Sequence, residues 1–184
     1  MPADAVPQPP PGVRQRFPQL YGELRDVAAR LLGRTEGRRE TPSDLTHEAF
    51  AKLTGEEARR RNGARSELGD KPDSIFKACF GAACRDLLAD QARRDRAERR
   101  GGARRQQTLH TEIPGIEGRS FDPMEIEDAM QALAAQDPVL AQIVELRVYG
   151  GLTIAECAAT LDLSPRSLDR KWAFARAWLQ SRLQ

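Results

Sequence analysis

The stretch TIAECAATLDLSPRSLDRKWAFARAWL, from Thr153 to Leu179, decides the fold of this 184-residue chain. Thr153 precedes a short helical segment and has Glu156 three residues on, which is the spacing of a capping box. A turn follows, and Ser164 and Pro165 are residue types favoured at the N-cap and first position of a helix. Two capped helices joined by a tight turn predict a helix-turn-helix.

The second of these helices separates apolar and basic residues onto opposite faces. Its apolar residues recur every three or four positions and predict one buried stripe, made of Leu168, Trp172, Ala175 and Leu179. Arg166 and Arg170 fall on the opposite side, and Ser167 and Lys171 flank them. Exposed arginines near the N-terminus of such a helix suit the DNA major groove, where guanidinium groups match guanine O6 and N7. The alternative interpretation is a solvated basic face on an ordinary helical hairpin.

Charge and cysteine content limit the class of protein. The net charge of +2 hides an uneven distribution, because residues 1–110 carry 22 basic and 16 acidic residues, whereas residues 111–137 carry one basic and seven acidic residues. Two basic modules that flank an acidic connector favour a nucleic-acid partner. The sequence has no signal-like h-region and no apolar run of membrane length, so we expect a cytoplasmic protein with no membrane partner. Its three cysteines lack framework spacing and are expected to be reduced.

Helical periodicity recurs along the chain and strand alternation does not, so the predicted fold is all-α. Residues 1–12 contain five prolines and are predicted to form a disordered tail. Helices are predicted from Phe17 to Gly33, from Leu45 to Leu53, from Ser74 to Arg100, around 126–133, and from Pro138 to Gly150-Gly151. Residues 54–73 are expected to form a loop or a frayed helix. The predicted organisation is a helical domain over 13–105, a flexible acidic linker over 106–124 and a helix-turn-helix domain over 125–184.

No enzyme or metal motif is found in the sequence. It lacks a GxSxG elbow, a Gly-rich phosphate loop and a GxGxxG turn after a strand. His47 and the cysteines at 79, 84 and 157 lack the clustered spacing that zinc requires. We therefore expect a protein without catalytic activity, cofactor or metal.

Arginines are concentrated between positions 93 and 105, where seven of them occur. Such a basic edge at the end of a helix suits the neutralisation of nucleic-acid phosphates. The alternative is a solvated helix end whose arginines pair with the nearby acids Asp90, Asp95 and Glu98.

Four stretches carry a resemblance to a known family. LRVYGGLTIAE (146–156) with LDLSP (161–165) resembles region 4 of bacterial sigma-70-type initiation factors, and RKWAFARAWL (170–179) is similar to the extracytoplasmic function (ECF) subfamily. DLTHEAFAKL (44–53) resembles region 2.2, and CRDLLADQARR (84–94) resembles the join of regions 2.3 and 2.4. The resemblance covers about residues 17–183 in the right order, so it is far more specific than a lone helix-turn-helix.

The resemblance implies a promoter-specificity subunit of RNA polymerase with two helical domains, region 2 and region 4. Region 2 would bind the clamp helices of the largest polymerase subunit through Asp44, His47, Glu48 and Lys52. It would recognise the −10 element and help open the duplex through Phe76, Phe80, Asp86, Asp90, Arg93, Arg94 and Arg96. Region 4 would bind the polymerase flap and recognise the −35 element through Thr153, Ser164, Arg166, Ser167, Arg170 and Lys171. The linker would run toward the polymerase active-site and RNA-exit channels, and an anti-sigma factor is a further candidate partner.

The sequence departs from the family pattern at two positions. Cys79 stands where a tryptophan is common, so Phe76 and Phe80 are the nearest aromatic candidates for supporting strand separation. Asp162 stands in a turn that often carries glycine, and aspartate tolerates a left-handed backbone better than most residues. Two alternatives stay open: a helix-turn-helix regulator that acts without core polymerase, and a degenerate sigma-like interaction module.

Overall fold

The computed structural model describes residues 13–32, 40–60, 71–98 and 121–183. Within these ranges the chain forms seven α-helices and no β-strand, which confirms the predicted all-α fold. They are α1 (Val13–Leu32), α2 (Pro42–Arg60), α3 (Asp73–Glu98), α4 (Pro123–Gln136), α5 (Pro138–Val148), α6 (Ile154–Thr160) and α7 (Pro165–Arg182). The predicted tail and most of the predicted linker lie outside the described residues. None of the described helices combines the length and apolar character needed to cross a membrane.

Helix α1 begins at Val13, earlier than the predicted start at Phe17, and includes Pro18. Tertiary contacts of Arg16 account for the extra turn, which periodicity alone does not predict. The buried Arg16 side chain donates from Nη1 to the carbonyl oxygen of Lys71 at 2.6 Å and forms an ion pair with Asp73. These contacts fasten the start of α1 to the start of α3.

Helix α2 begins at Pro42 and continues to Arg60, beyond its predicted end at Leu53. Its first turn is capped reciprocally, because the Thr41 N–H donates to the Asp44 carboxylate at 2.9 Å and the Asp44 N–H donates to the Thr41 hydroxyl at 3.2 Å. The apolar residues of its predicted inner face are buried or packed against the core. The sequence predicted a loop or a frayed helix over residues 54–73. Residues 54–60 are helical, which agrees in part with the frayed helix, and residues 61–70 lie outside the described residues.

The helices of the C-terminal part start at side-chain caps. Asp122 caps α4 in a capping box with Glu125, and Asp137 caps α5 by accepting from the Val139 N–H at 2.9 Å. Helix α5 ends at Val148, and the left-handed φ of 70° at Gly151 then turns the chain toward α6. The predicted stop at the glycine pair is therefore confirmed.

Helix α3 lies at the centre of the fold. It contacts α1 and α2, and it also contacts α4 and α5. Because α3 has helices packed on both sides, buried residues from both halves of the chain belong to one hydrophobic core. For the same reason α3 is buried at consecutive positions, such as Ala83, Cys84 and Arg85. The domain boundaries inferred from the sequence stay a prediction.

Candidate nucleic-acid interface

The short helix α6 starts at the predicted capping box. The Thr153 N–H donates to the Glu156 carboxylate at 2.7 Å, and the Glu156 N–H donates back to the Thr153 hydroxyl at 3.2 Å. The hydrogen bond from the Thr153 N–H is the main reason that the pKa of Glu156 lies below its ordinary value. The box orients α6 relative to the chain that leaves α5, which positions the turn that follows.

The turn between α6 and α7 depends on Asp162, whose φ is 53°. This left-handed conformation lets the Leu163 N–H donate to the carbonyl oxygen of Ala158 at 2.9 Å, which closes the end of α6. Ser164 then caps α7 by accepting from the Ser167 N–H at 3.2 Å. The predicted turn and both predicted helix starts are confirmed.

Helix α7 buries the predicted apolar stripe of Leu168, Trp172, Ala175 and Leu179. The guanidinium groups of Arg147 and Arg176 lie 5.3 Å and 5.8 Å from the Trp172 ring centroid, within the range of cation–π contacts. Because Arg147 belongs to α5, this contact fixes α7 against α5 and sets which face of α7 is exposed.

The side of α7 opposite the stripe presents Arg166 and Arg170, which are both exposed. Neither makes an ion pair or a side-chain hydrogen bond with the described part of the chain. Ser167 accepts a hydrogen bond from the Ser164 hydroxyl at 2.9 Å, and Lys171 donates to Asp137 at 2.6 Å. Two arginines are therefore available to a ligand, whereas the serine and lysine beside them are partly engaged within the protein.

Two further residues of the predicted −35 set, Thr153 and Ser164, use their hydroxyl groups to cap α6 and α7. Both residues are exposed. Their observed role is to hold the backbone of the helix-turn-helix, and a direct DNA contact by either stays a prediction.

The basic end of α3 carries the described arginines of the predicted −10 set. Arg93 donates to Asp90 at 2.9 Å, Arg96 pairs with Asp122 at the start of α4, and Arg94 is exposed. The remaining arginines of the run, from position 99 onward, lie outside the described residues. The alternative of local pairing therefore holds for Arg93, while Arg96 pairs with a residue far away in sequence.

The predicted aromatic residues of the −10 set are buried. Phe76 and Phe80 are both 0% exposed, and the guanidinium of Arg16 lies 5.5 Å from the Phe76 ring centroid. No base could stack on either ring in this arrangement of helices. Asp86, also predicted to face DNA, instead accepts from Lys52 at 3.2 Å, which joins a predicted −10 residue to a predicted polymerase-binding residue.

The outer face of α2 presents the other predicted polymerase-binding residues. Asp44, His47 and Glu48 are exposed, and Lys52 is partly buried by its ion pair with Asp86. The hydrogen bond from the Thr41 N–H is the main cause that lowers the pKa of Asp44, so this carboxylate is charged at neutral pH. The face is therefore polar and includes two carboxylates.

Sequence reasoning missed an aromatic cluster beside this face. The rings of Phe17 and Phe50 stack with centroids 3.9 Å apart, and Tyr21 and His47 lie against Phe17 at 5.5 Å and 5.9 Å. Phe17 and Tyr21 are four residues apart on α1, which places them on one side of that helix. That spacing was the available signal, although periodicity could not show that the ring of His47 joins them from α2.

Sequence reasoning also missed that Arg85 is buried, with 5% of it exposed. It pairs with Glu127 of α4 and Glu145 of α5. A charge among the apolar residues of α3 was visible in the sequence, but its partners are 42 and 60 residues away.

None of the three cysteines forms a disulfide. Cys84 and Cys157 are buried, and Cys79 is half-buried. Burial raises the pKa of the Cys79 and Cys157 thiols, so both are protonated at neutral pH. The part of the chain that the structure describes contains no group of three or more His, Cys, Asp or Glu residues that could hold a metal ion.

The family model described as ECF sigma factor matches residues 13–184, nearly the whole chain. Neither curated proteins nor solved structures gave a significant match. The matched span includes all seven described helices, from α1 to the helix-turn-helix, and agrees with the resemblance seen in the sequence. The chain therefore belongs to the ECF sigma factor family, whose role is in transcription initiation.

Proposed function

We propose that this protein binds core RNA polymerase and directs it to promoters by recognising a −10 element with α3 and a −35 element with α7. It would act in the bacterial cytoplasm and have no catalytic activity of its own. The observation that carries the proposal is the helix-turn-helix of α6 and α7, in which Arg166 and Arg170 are exposed opposite a fully buried stripe. An N-terminal pair of exposed arginines on a recognition helix suits guanine edges and phosphates in the major groove.

We expect some side chains of α7 to contact bases of the −35 element and others to contact its DNA phosphates. Arg170 lies one turn after Arg166 on the exposed face, so it is our candidate for a bidentate contact with guanine. Lys171 is tied to Asp137 at 2.6 Å, and this bond is the main reason that the pKa of Asp137 is lowered. We therefore assign Lys171 a phosphate contact that competes with an existing ion pair, and Arg170 the stronger share of sequence recognition.

The contact with the −10 element would come from the basic end of α3. Arg94 is exposed, and Arg93 and Arg96 could exchange their carboxylate partners for phosphates. Asp86 and Asp90 lie on the same helix and stay candidates for contacts with bases of the non-template strand.

The outer face of α2 would bind polymerase. The polymerase flap would make a second contact, with region 4 of this chain. The exposed Asp44, His47 and Glu48 supply a polar surface. Phe17 and Tyr21 of α1 pack beside it, and the Phe17 ring stacks on Phe50 of α2. An anti-sigma factor that covers the same face is a further candidate partner.

One observation favours the degenerate sigma-like alternative. Phe76 and Phe80 are completely buried, so the described part of α3 offers no exposed aromatic ring on which a separated base could stack. A chain that bound polymerase and promoter DNA but could not open the duplex would fit this observation.

The test is to add the purified chain to core polymerase and to map transcripts from a genomic promoter library. The proposal predicts polymerase binding and new, shared start sites. Failure to bind polymerase would refute it, binding without initiation would favour the degenerate alternative, and a specific footprint without polymerase would favour the regulator. Glu48→Arg should weaken polymerase binding, whereas Asp26→Arg, the same charge change at an exposed position of α1, should not.

A further inference from the structure

Phe174 of α7 is the one large apolar residue that is exposed in the part of the chain that the structure describes, and 47% of it is accessible to solvent. No aromatic or cation–π contact within that part of the chain involves its ring. By contrast, Trp172 lies against Arg147 and Arg176. Single exposed rings are common on protein surfaces, so what distinguishes Phe174 is its position on α7.

Phe174 continues the basic face of α7. Arg166, Arg170 and Phe174 follow one another at intervals of four residues, so each lies about 6 Å further along the helix axis and about 40° further around it. All three are exposed, and the stripe that includes Leu168 and Trp172 is buried on the other side of the helix. The face from Arg166 to Phe174 is about 12 Å long, which matches the width of the DNA major groove. A recognition helix that places both arginines in the groove therefore brings Phe174 to it as well.

The residues beside the ring on this face are small. Ala177 lies one turn after Phe174 and Ala173 one turn before Ala177, and both are exposed. Long side chains at these two positions would hold the helix away from a bound surface. Because alanine is short, the phenyl ring is the group in this part of α7 that reaches furthest toward the DNA.

The major groove offers one kind of apolar target to such a ring. Among the groups that base pairs present there, the C5 methyl of thymine is apolar and the others are hydrogen-bond donors and acceptors. A phenyl ring has no hydrogen-bonding group, so it gains free energy by covering a methyl and loses free energy by covering polar base edges. Arginine has the opposite preference, because its donors match guanine O6 and N7.

We infer that Phe174 is a specificity-determining residue that contacts the C5 methyl of a thymine in the −35 element, beside the base contacted by Arg170. This inference rests on the proposed function of α7. It adds a thymine to the sequence that α7 selects, which the two arginines alone do not recognise.

The experiment starts from a DNA site that the chain itself selects. Duplexes are selected from a random-sequence pool by the full-length chain, once with core polymerase and once alone at low salt, where phosphate contacts are strongest. Each thymine of the selected site is then replaced in turn by uracil, which keeps the hydrogen-bonding groups of the base and lacks only its methyl. Competition binding compares the wild type with Phe174→Ala on every duplex.

For the wild type, one uracil substitution should weaken binding about fourfold, which is the effect of removing roughly one buried methyl group. The same substitution should have no effect on Phe174→Ala, because the methyl has then lost its protein partner. The affinity of this variant for the thymine duplex should fall at least about fourfold. Phe174→Leu keeps an apolar side chain and should retain part of the response to uracil. Ser181→Ala, at an exposed position of the same helix beyond the ring, is the matched control and should respond like the wild type.

An equal response to uracil in the wild type and in Phe174→Ala would overturn the inference, since another group would then contact the methyl. A selected site without a methyl-sensitive thymine, or a pool that yields no site, would overturn it as well. A Phe174→Ala chain that binds core polymerase less tightly and still responds to uracil would also overturn it, and would indicate that the ring contacts the polymerase flap.

The inference and the proposed function can fail separately. Phe174 lies outside the core, so Phe174→Ala should keep the helical circular dichroism of the wild type. A chain that shows the predicted response to uracil but never supports initiation with core polymerase would refute the proposed function and leave the assignment of Phe174 supported.

Discussion

At the scale of single residues, Asp162 has the one positive φ among the described non-glycine residues. A left-handed backbone costs most side chains free energy because Cβ approaches the following carbonyl oxygen. Aspartate tolerates this conformation better than most residues, so Asp162 allows the tight turn that aligns α6 with α7. The angle between these helices in turn decides where Arg166 and Arg170 point.

Asp162→Val should lower the free energy of unfolding by roughly 1–2 kcal/mol, because a β-branched residue fits the left-handed region poorly. Asp162→Asn and Asp162→Gly should change stability far less, since both residues adopt this conformation readily. Urea denaturation monitored by circular dichroism measures all three. Equal stability of the valine and asparagine variants would show that the turn has another backbone conformation in solution.

Arg170→Ala should weaken binding to the cognate −35 element by roughly 1–3 kcal/mol if the guanidinium is bidentate to guanine. It should leave the affinity for core polymerase unchanged. Arg182→Ala is the control, because Arg182 is an exposed arginine of the same helix at its opposite end. Competition binding of the assembled complex to promoter fragments measures the difference, and an equal loss in both variants would contradict our choice of the recognition face.

At the scale of elements, capping side chains explain why the C-terminal helices begin where they do. Asp122, Asp137, Thr153 and Ser164 each accept a hydrogen bond from a backbone N–H of the first turn. Backbone donors at a helix start have no partner within the helix, so such caps define its first residue. Helix α6 has only seven residues and depends on its capping box more than the longer helices do.

The charge of Glu156 should contribute stability that depends on pH. Hydrogen bonds from Thr153 lower its pKa in the folded protein, so its contribution is complete above the ordinary value of 4.5 and is lost as pH falls through the lower folded value. Glu156→Gln should therefore be less stable than wild type at neutral pH, with a difference that shrinks in acid. Thermal melts of both proteins between neutral and acidic pH measure this, and a difference that stays constant with pH would contradict the assignment.

The same local rules explain how far the sequence could predict the elements. The capping box, the turn, the stripe of α7 and the exposure of Arg166 and Arg170 were all predictable, because each depends on residues within one or two turns of each other. The start of α1 was predicted too late, because Arg16 stabilises it through Lys71 and Asp73. Contacts over such sequence separations leave no periodic signal.

At the scale of the whole molecule, the principal feature that sequence patterns could not predict is the packing of α4 and α5 against α3. It depends on shape at Gly81 and on the pairing of Arg85 with Glu127 and Glu145. Phe76 and Phe80 were expected beside DNA because aromatic rings often stack on bases, but in the folded chain they fill the core. An apolar ring has the same appearance in sequence whether it faces a partner or the interior.

The central claim is that this chain recognises two promoter elements only as a part of the polymerase complex. Footprinting upstream of start sites mapped with the genomic library tests it most directly. Our account predicts that the chain with core polymerase protects two stretches centred about 25 base pairs apart, roughly 85 Å along the duplex. The chain alone and core polymerase alone should protect neither. Protection by the chain alone, or unaltered start sites when it is added to polymerase, would contradict the account.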